Sequence, residues 1–179
     1  MFTILKADPS IHAGPIRSLI QELAAFEQMA DQVQLTAEQL AADLKSGACC
    51  ALVAVPTEKV DISDENDTRK RDIFGYCLYY YAYSTWVGRF IFMEDLYVAE
   101  AHRRQNIGTA LWRALAQVAV DEKLPRIMWN VLNWNAAAIE FYRRFDVVDM
   151  GESEGWLTFR MVQPAIAKLA ELTVTPNAT

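Results

Sequence analysis

The sequence predicts an α/β fold, a twisted mixed sheet flanked by helices. Three observations carry this. Runs rich in Val, Ile, Tyr, Phe and Trp alternate with segments of helical periodicity. A chain of 179 residues is long enough for one domain with a proper core. Apolar content of 53% and aromatic content of 11% suit a packed interior and not a disordered chain.

Residues 2–7 read as a first strand. Asp8-Pro9-Ser10 opens a helix whose residues Ile16, Leu19, Ile20 and Leu23 form one apolar stripe, ending near Phe26 and Glu27. Thr36-Ala37-Glu38-Gln39 has the capping-box pattern and starts a second helix, which Lys45-Ser46-Gly47 ends. Residues 48–55 form an apolar strand. Residues 56–71 are polar and charge-rich and read as a hairpin connection. An aromatic strand follows over 73–83, with Tyr76, Tyr79, Tyr80, Tyr81 and Tyr83 read as packing residues. Ser84 to Gly88 is a tight turn with Trp86 at its tip. After the central stretch discussed next, Pro125 breaks a helix, residues 126–132 form a strand, and Asn135 caps a helix carrying Ala138, Ile139 and Tyr142 on one stripe. Residues 147–150 and 155–162 read as two closing strands, and 164–172 as a short helix. One domain is expected over 1–172, with 173–179 a frayed tail.

The central stretch, residues 92–109, holds the chemistry. Phe92, Met93, Leu96, Tyr97 and Val98 are strand formers, interrupted by Glu94 and Asp95. Adjacent strand residues face opposite ways, so alternation alone sends one acid to each face. A carboxylate there is paired, solvated or used; a bulge or strand end that lets both reach water is the competing reading. A polar loop follows, His102 to Gly108, leading into a helical run of Ile107, Ala110, Leu111, Ala114, Leu115 and Val118. A helix start offers unpaired N–H groups and a positive dipole end. Arg103 and Arg104 add donors suited to phosphate, and Gly108 permits close approach of a ligand. A solvated turn accounts for the two arginines equally simply, except that arginine works against the dipole at that end.

Composition excludes several classes. The net charge of −6, from 23 acids and 17 bases, speaks against nucleic acid as a partner and is compatible with a cationic substrate. No apolar run has membrane-spanning length, so no membrane partner is expected. The first residues lack the features of a signal peptide, and a cytoplasmic protein is the simplest expectation. Cys49, Cys50 and Cys77, with two histidines, suit neither a disulfide framework nor a metal site, and no metal is expected. His102 reads as a surface turn residue.

The loop Arg103-Arg104-Gln105-Asn106-Ile107-Gly108 resembles the pyrophosphate loop of the GNAT superfamily of N-acetyltransferases, with Asn106 where a glycine is usual. Asn is the residue after Gly that most readily takes left-handed dihedrals. Leu23-Ala24-Ala25-Phe26-Glu27, Tyr83-Ser84-Thr85-Trp86, Leu132-Asn133-Trp134-Asn135, Phe141-Tyr142 and Glu154-Gly155-Trp156 resemble the spermidine/spermine (diamine) acetyltransferase group, most of all its thialysine Nε-acetyltransferases. The similarity spans roughly residues 2–170.

The resemblance implies the GNAT fold, acetyl-CoA as co-substrate, a small lysine-like or diamine amine as acceptor, and a homodimer with sites near the interface. It implies Glu94 as base, with Asp95 second, and Tyr142 as general acid. It implies Leu96, Tyr97, Val98, Arg103, Arg104, Gln105, Asn106, Ile107, Gly108, Thr109, Asn135 and Tyr142 toward acetyl-CoA. Toward the amine it implies Phe26, Glu27, Ser84, Trp86, Glu94 and Glu154. Phe26 by itself reads first as core packing, and Asn135 as a helix cap. Ser84 stands where polyamine-acting relatives carry an acid, which favours thialysine or lysine over a polyamine. The alternatives are a spermidine, spermine or putrescine acetyltransferase, a non-catalytic acyl-CoA-binding regulatory dimer, and an enzyme acting on protein lysines.

Overall fold

A computed structural model describes residues 1–57 and 72–171. Most of the charged connection and the expected tail lie outside them. The chain resolves into two compact units, Met1–Asn130 and Val131–Thr179.

The first unit is built on a five-stranded sheet in the order β1-β2-β3-β4-β5: β1 (Phe2–Lys6), β2 (Cys50–Pro56), β3 (Gly75–Ser84), β4 (Gly88–Val98) and β5 (Ile127–Trp129). β1 to β4 pair antiparallel, and β5 adds parallel to β4 through Ile91–Met93. Of the predicted strand 126–132, only these three residues pair.

The helices form where their caps direct. α1 (Pro9–Phe26) starts at Asp8, whose carboxylate accepts from the Ser10 amide. α2 (Ala37–Ser46) carries the full capping box: Thr36 Oγ1 accepts from the Gln39 amide, and Gln39 returns the bond. Gly47 ends it at φ 79°, a left-handed position that glycine takes without steric cost. α3 spans Ile107–Asp121 and buries Ile107, Leu111, Trp112, Leu115 and Ala119.

The two sheet faces are covered separately. Tyr76, Leu78 and Tyr97 join Ile16, Leu19 and Leu40 in the core under α1 and α2. Tyr81 points the other way, and its hydroxyl donates to Glu122 at the end of α3, at 2.6 Å. Strand alternation therefore assigns one β3 face to α1 and the other to α3.

The second unit holds α4 (Ala136–Arg143), α5 (Met150–Glu154) and α6 (Ala165–Ala170). It corrects two expectations. Residues 147–150 and 155–162 are not strands. Asp149 Oδ1 accepts from the Gly151 and Glu152 amides and caps α5. Trp156, Leu157, Phe159, Met161 and Val162 are strand formers, but they lie exposed and outside any strand. A strand is stable only beside a partner, and among the described residues none pairs with this segment.

Candidate active site

The site in the first unit begins with a defect in the β3–β4 ladder. Leu78 faces Asp95, whereas Tyr79 faces Met93, so Glu94 is the extra residue of a β-bulge. The ring contacts agree. Phe92 stacks on Tyr80 at 5.2 Å, and Tyr97 meets Tyr76 at 6.4 Å. Tyr80 and Tyr76 share a face, so Phe92 and Tyr97 share it too, although five positions apart. Plain alternation, which sends Glu94 and Asp95 to opposite faces, is thus set aside for the rival reading of a bulge, although Asp95 is only half-exposed to water. The inserted residue puts both on the α1 face.

The two acids differ in surroundings. Glu94 is exposed and lies near enough to Tyr80 to raise its hydroxyl's pKa, after the effect of burial. Asp95 is half-buried. Its Oδ2 accepts the Tyr76 hydroxyl at 2.8 Å. Loss of water pushes its pKa up to about 6; the Tyr76 bond works against that rise, and Glu94 and Glu27 add to it. Glu27, at the end of α1, is itself raised by desolvation. Glu27, Glu94 and Asp95 therefore form one acidic group suited to a cation.

Phe26 is 46% exposed, a correction to its reading as core; its ring lies 6.0 Å from the Arg103 guanidinium.

The far end of β4 leads to a second feature. The Ala99 amide donates to Phe74 O, on the β3 side. By alternation the Leu96 and Val98 amides point away from β3, where the pairing of β5 has already stopped at Met93. Arg103 is turned back onto this edge. Its Nε donates to Val98 O at 3.0 Å, and its guanidinium lies over the Tyr97 ring. The Tyr97 hydroxyl also meets Glu22 at 3.2 Å. His102, expected at the surface, stacks on Phe74 at 4.0 Å.

Beyond Arg103 the backbone turns twice into the left-handed region, at Arg104 (φ 62°) and Asn106 (φ 63°). Asn106 keeps the turn that a glycine would make. Among the described residues, the amides of residues 104–109 donate to no backbone carbonyl, and α3 begins without a side-chain cap. A Cβ at Gly108 would meet only Val98 Cγ2, at 3.8 Å, so the fold itself does not require glycine there. Unpaired amides at a helix start, with room above them, suit a phosphate group. Gln105 and Asn106 are exposed, while Gly108 and Thr109 are half-buried.

Other predicted residues lie elsewhere. Ser84 and Trp86 sit at the hairpin tip, where Ser84 Oγ accepts from the Trp86 amide at 3.2 Å and Trp86 is 75% exposed. About six strand residues, roughly 20 Å, separate that turn from Glu94. In the second unit, Asn135 Oδ1 accepts from the Ala138 amide and caps α4. Tyr142 is buried on that helix, its ring edge-on to Phe141 at 5.2 Å. Glu154 accepts from Trp156 Nε1 at 2.9 Å. Sequence reasoning gave little weight to Asp95 and none to the Tyr76 hydroxyl, because the bulge that joins them leaves no mark except two adjacent acids in an apolar strand.

The Acetyltransferase (GNAT) family model matches residues 20–146. The thialysine N-epsilon-acetyltransferase of Caenorhabditis elegans is 41% identical over 170 residues, 95% of this chain and 98% of that protein. The Mus musculus protein of the same name is 37% identical over 157 residues, 88% of this chain and 91% of its own. Among solved structures, an integron cassette protein from the mobile metagenome of V. cholerae superposes with a TM-score of 0.68 at 18% identity, covering 96% of this chain and 98% of that one.

Proposed function

The chain belongs to the GNAT acetyltransferase family, an enzyme family that transfers acetyl groups to amines, and on that footing we propose that it acetylates the side-chain amine of a small lysine-like substrate, thialysine or lysine, with acetyl-CoA as donor. The reaction is one displacement in a ternary complex. The ammonium gives a proton to Glu94, directly or through water. The free nitrogen attacks the thioester carbonyl, a C–N bond forms, the C–S bond breaks, Tyr142 protonates the departing sulfur, and the new amide nitrogen gives up its second proton to solvent. The proton on Glu94 returns to solvent, and Tyr142 is reprotonated from solvent.

The observation that supports the reading best is the run of unpaired amides after Arg103, following a strand that carries two acids on one face. Residues 104–109 would hold the diphosphate. The Leu96 and Val98 amides would orient the pantetheine, with Asn135 near it. Arg103 would act by fixing Val98 and Tyr97 in place. Glu27, Glu94 and Phe26 would line the amine site. The enzyme would work as a cytoplasmic homodimer in which a second copy covers the tip that carries Ser84 and Trp86, and Glu154 would also serve the amine. Small-substrate acetylation is favoured over polyamines because Ser84 supplies no charge for a remote ammonium.

A panel of thialysine, lysine, spermidine and putrescine with acetyl-CoA, followed by thiol release, tests this. Thialysine and lysine turn over fastest, and Tyr142→Phe lowers kcat roughly 100-fold, within the range for general acid catalysis. Thiol release with no amine on the panel would overturn the proposal.

A further inference from the structure

Tyr76 carries a polar group that the reaction above leaves unused. Its side chain is fully buried in β3, in the core with Ile16, Leu19 and Val53. A phenylalanine would fill that volume with no hydroxyl to satisfy. The Tyr76 hydroxyl donates across the strand pair to Asp95 Oδ2 at 2.8 Å. The bulge sets Asp95 beside Glu94 on that same face. Its other titratable neighbours are Glu27, at the end of α1, and Cys77, next to Tyr76 on β3. Among the described residues, no cation is within reach to balance Asp95. Its charge rests on one phenol from β3 and on whatever enters the acidic group from outside.

Resting on the amine-acetylation reading, we propose that Tyr76 is a positioning residue for that reaction: its hydroxyl holds the Asp95 carboxylate charged and oriented beside Glu94, where it grips the ammonium of the incoming amine. The physics has two opposing parts. Burial and the two neighbouring carboxylates favour a protonated Asp95, and the phenol donor favours the anion. An arriving ammonium supplies the rest of the neutralisation. Without the phenol, Asp95 holds its proton to higher pH, and over that range the ammonium loses a partner before Glu94 can take its proton.

The test is Tyr76→Phe, with steady-state kinetics from mildly acidic to alkaline pH on the best amine of the panel. The acid limb of kcat/KM moves up by about one pH unit, and KM for the amine rises about twofold at neutral pH and approaches about tenfold on the acid limb. Both recover at alkaline pH, and KM for acetyl-CoA stays unchanged. Asp95→Asn raises the amine KM without alkaline recovery, and adding Tyr76→Phe to it moves the pH profile no further. A carbon-13 titration of the Asp95 carboxyl shifts up in Tyr76→Phe independently of turnover. An unmoved acid limb and unmoved carboxyl titration overturn the proposal. So does an equal loss of rate at every pH with a lower melting temperature, which assigns Tyr76 to packing. A wild-type enzyme that acetylates no amine overturns instead the function on which the proposal rests, a result separate from either.

Discussion

Asp95 carries a charge that the fold disfavours. Its folded pKa of about 6 stands above the ordinary carboxyl value of 3.8. As pH rises, the unfolded chain releases this proton first. The stability contributed by the protonated form is therefore complete below the ordinary value and is lost as pH climbs through about 6. Asp95→Asn keeps an acceptor for the Tyr76 hydroxyl and removes the charge. The variant gains about 1–3 kcal/mol on the wild type between acidic and neutral pH, read by urea unfolding at each pH. A stability difference that stays constant across that range contradicts the assignment. The acids were legible in the sequence; which of the two readings, alternation or a bulge, sets their faces was not, because only the pairing register decides it. Phe26 misled for a different reason. Its helical stripe is apolar, but it sits at the last position of α1, where the stripe runs out past the sheet.

Among elements, three helices with local cap signals were read correctly, whereas the Asp149 cap of α5 was passed over. Asp8, Thr36 with Gln39, and Asn135 each cap the helix that their spacing announced. Strands 147–150 and 155–162 failed because strand character is local and strand pairing is not. The β3–β4 pair shows how tightly pairing is tuned. A Cβ on Gly75 would lie 2.5 Å from the Tyr97 carbonyl oxygen and 3.1 Å from Val98 Cα, so β3 approaches the end of β4 only because the side chain is missing. Gly75→Ala pushes that end of β4 outward. It costs roughly 1–3 kcal/mol of stability, as overpacking does, and, on the proposal that Tyr97 and Val98 meet the pantetheine, it weakens acetyl-CoA binding. Chemical denaturation and calorimetric titration check the two effects. Wild-type affinity in a destabilised Gly75→Ala would separate this strand end from the cofactor.

For the whole molecule, family and fold were legible because short motifs in order carry them. How copies assemble is a property of surfaces, and those depend on pairing. Tyr83 and Trp86 crown the β3–β4 hairpin, 78% and 75% exposed, at a tip that a single chain leaves open to water. Sedimentation equilibrium at micromolar concentration gives twice the chain mass if a second copy covers this tip. Trp86→Ala then shifts the equilibrium toward single chains and raises the amine KM with it. A wild-type chain that sediments at its own mass refutes the shared site.

The surplus residue in β4 has one more consequence, for genetics. Removing the codon for Glu94 would not scramble the strand, since every side chain after it already points where an unbroken ladder would send it. Such a deletion yields a folded protein whose fourth strand runs unbroken along the third, with Asp95 alone where two acids stood side by side.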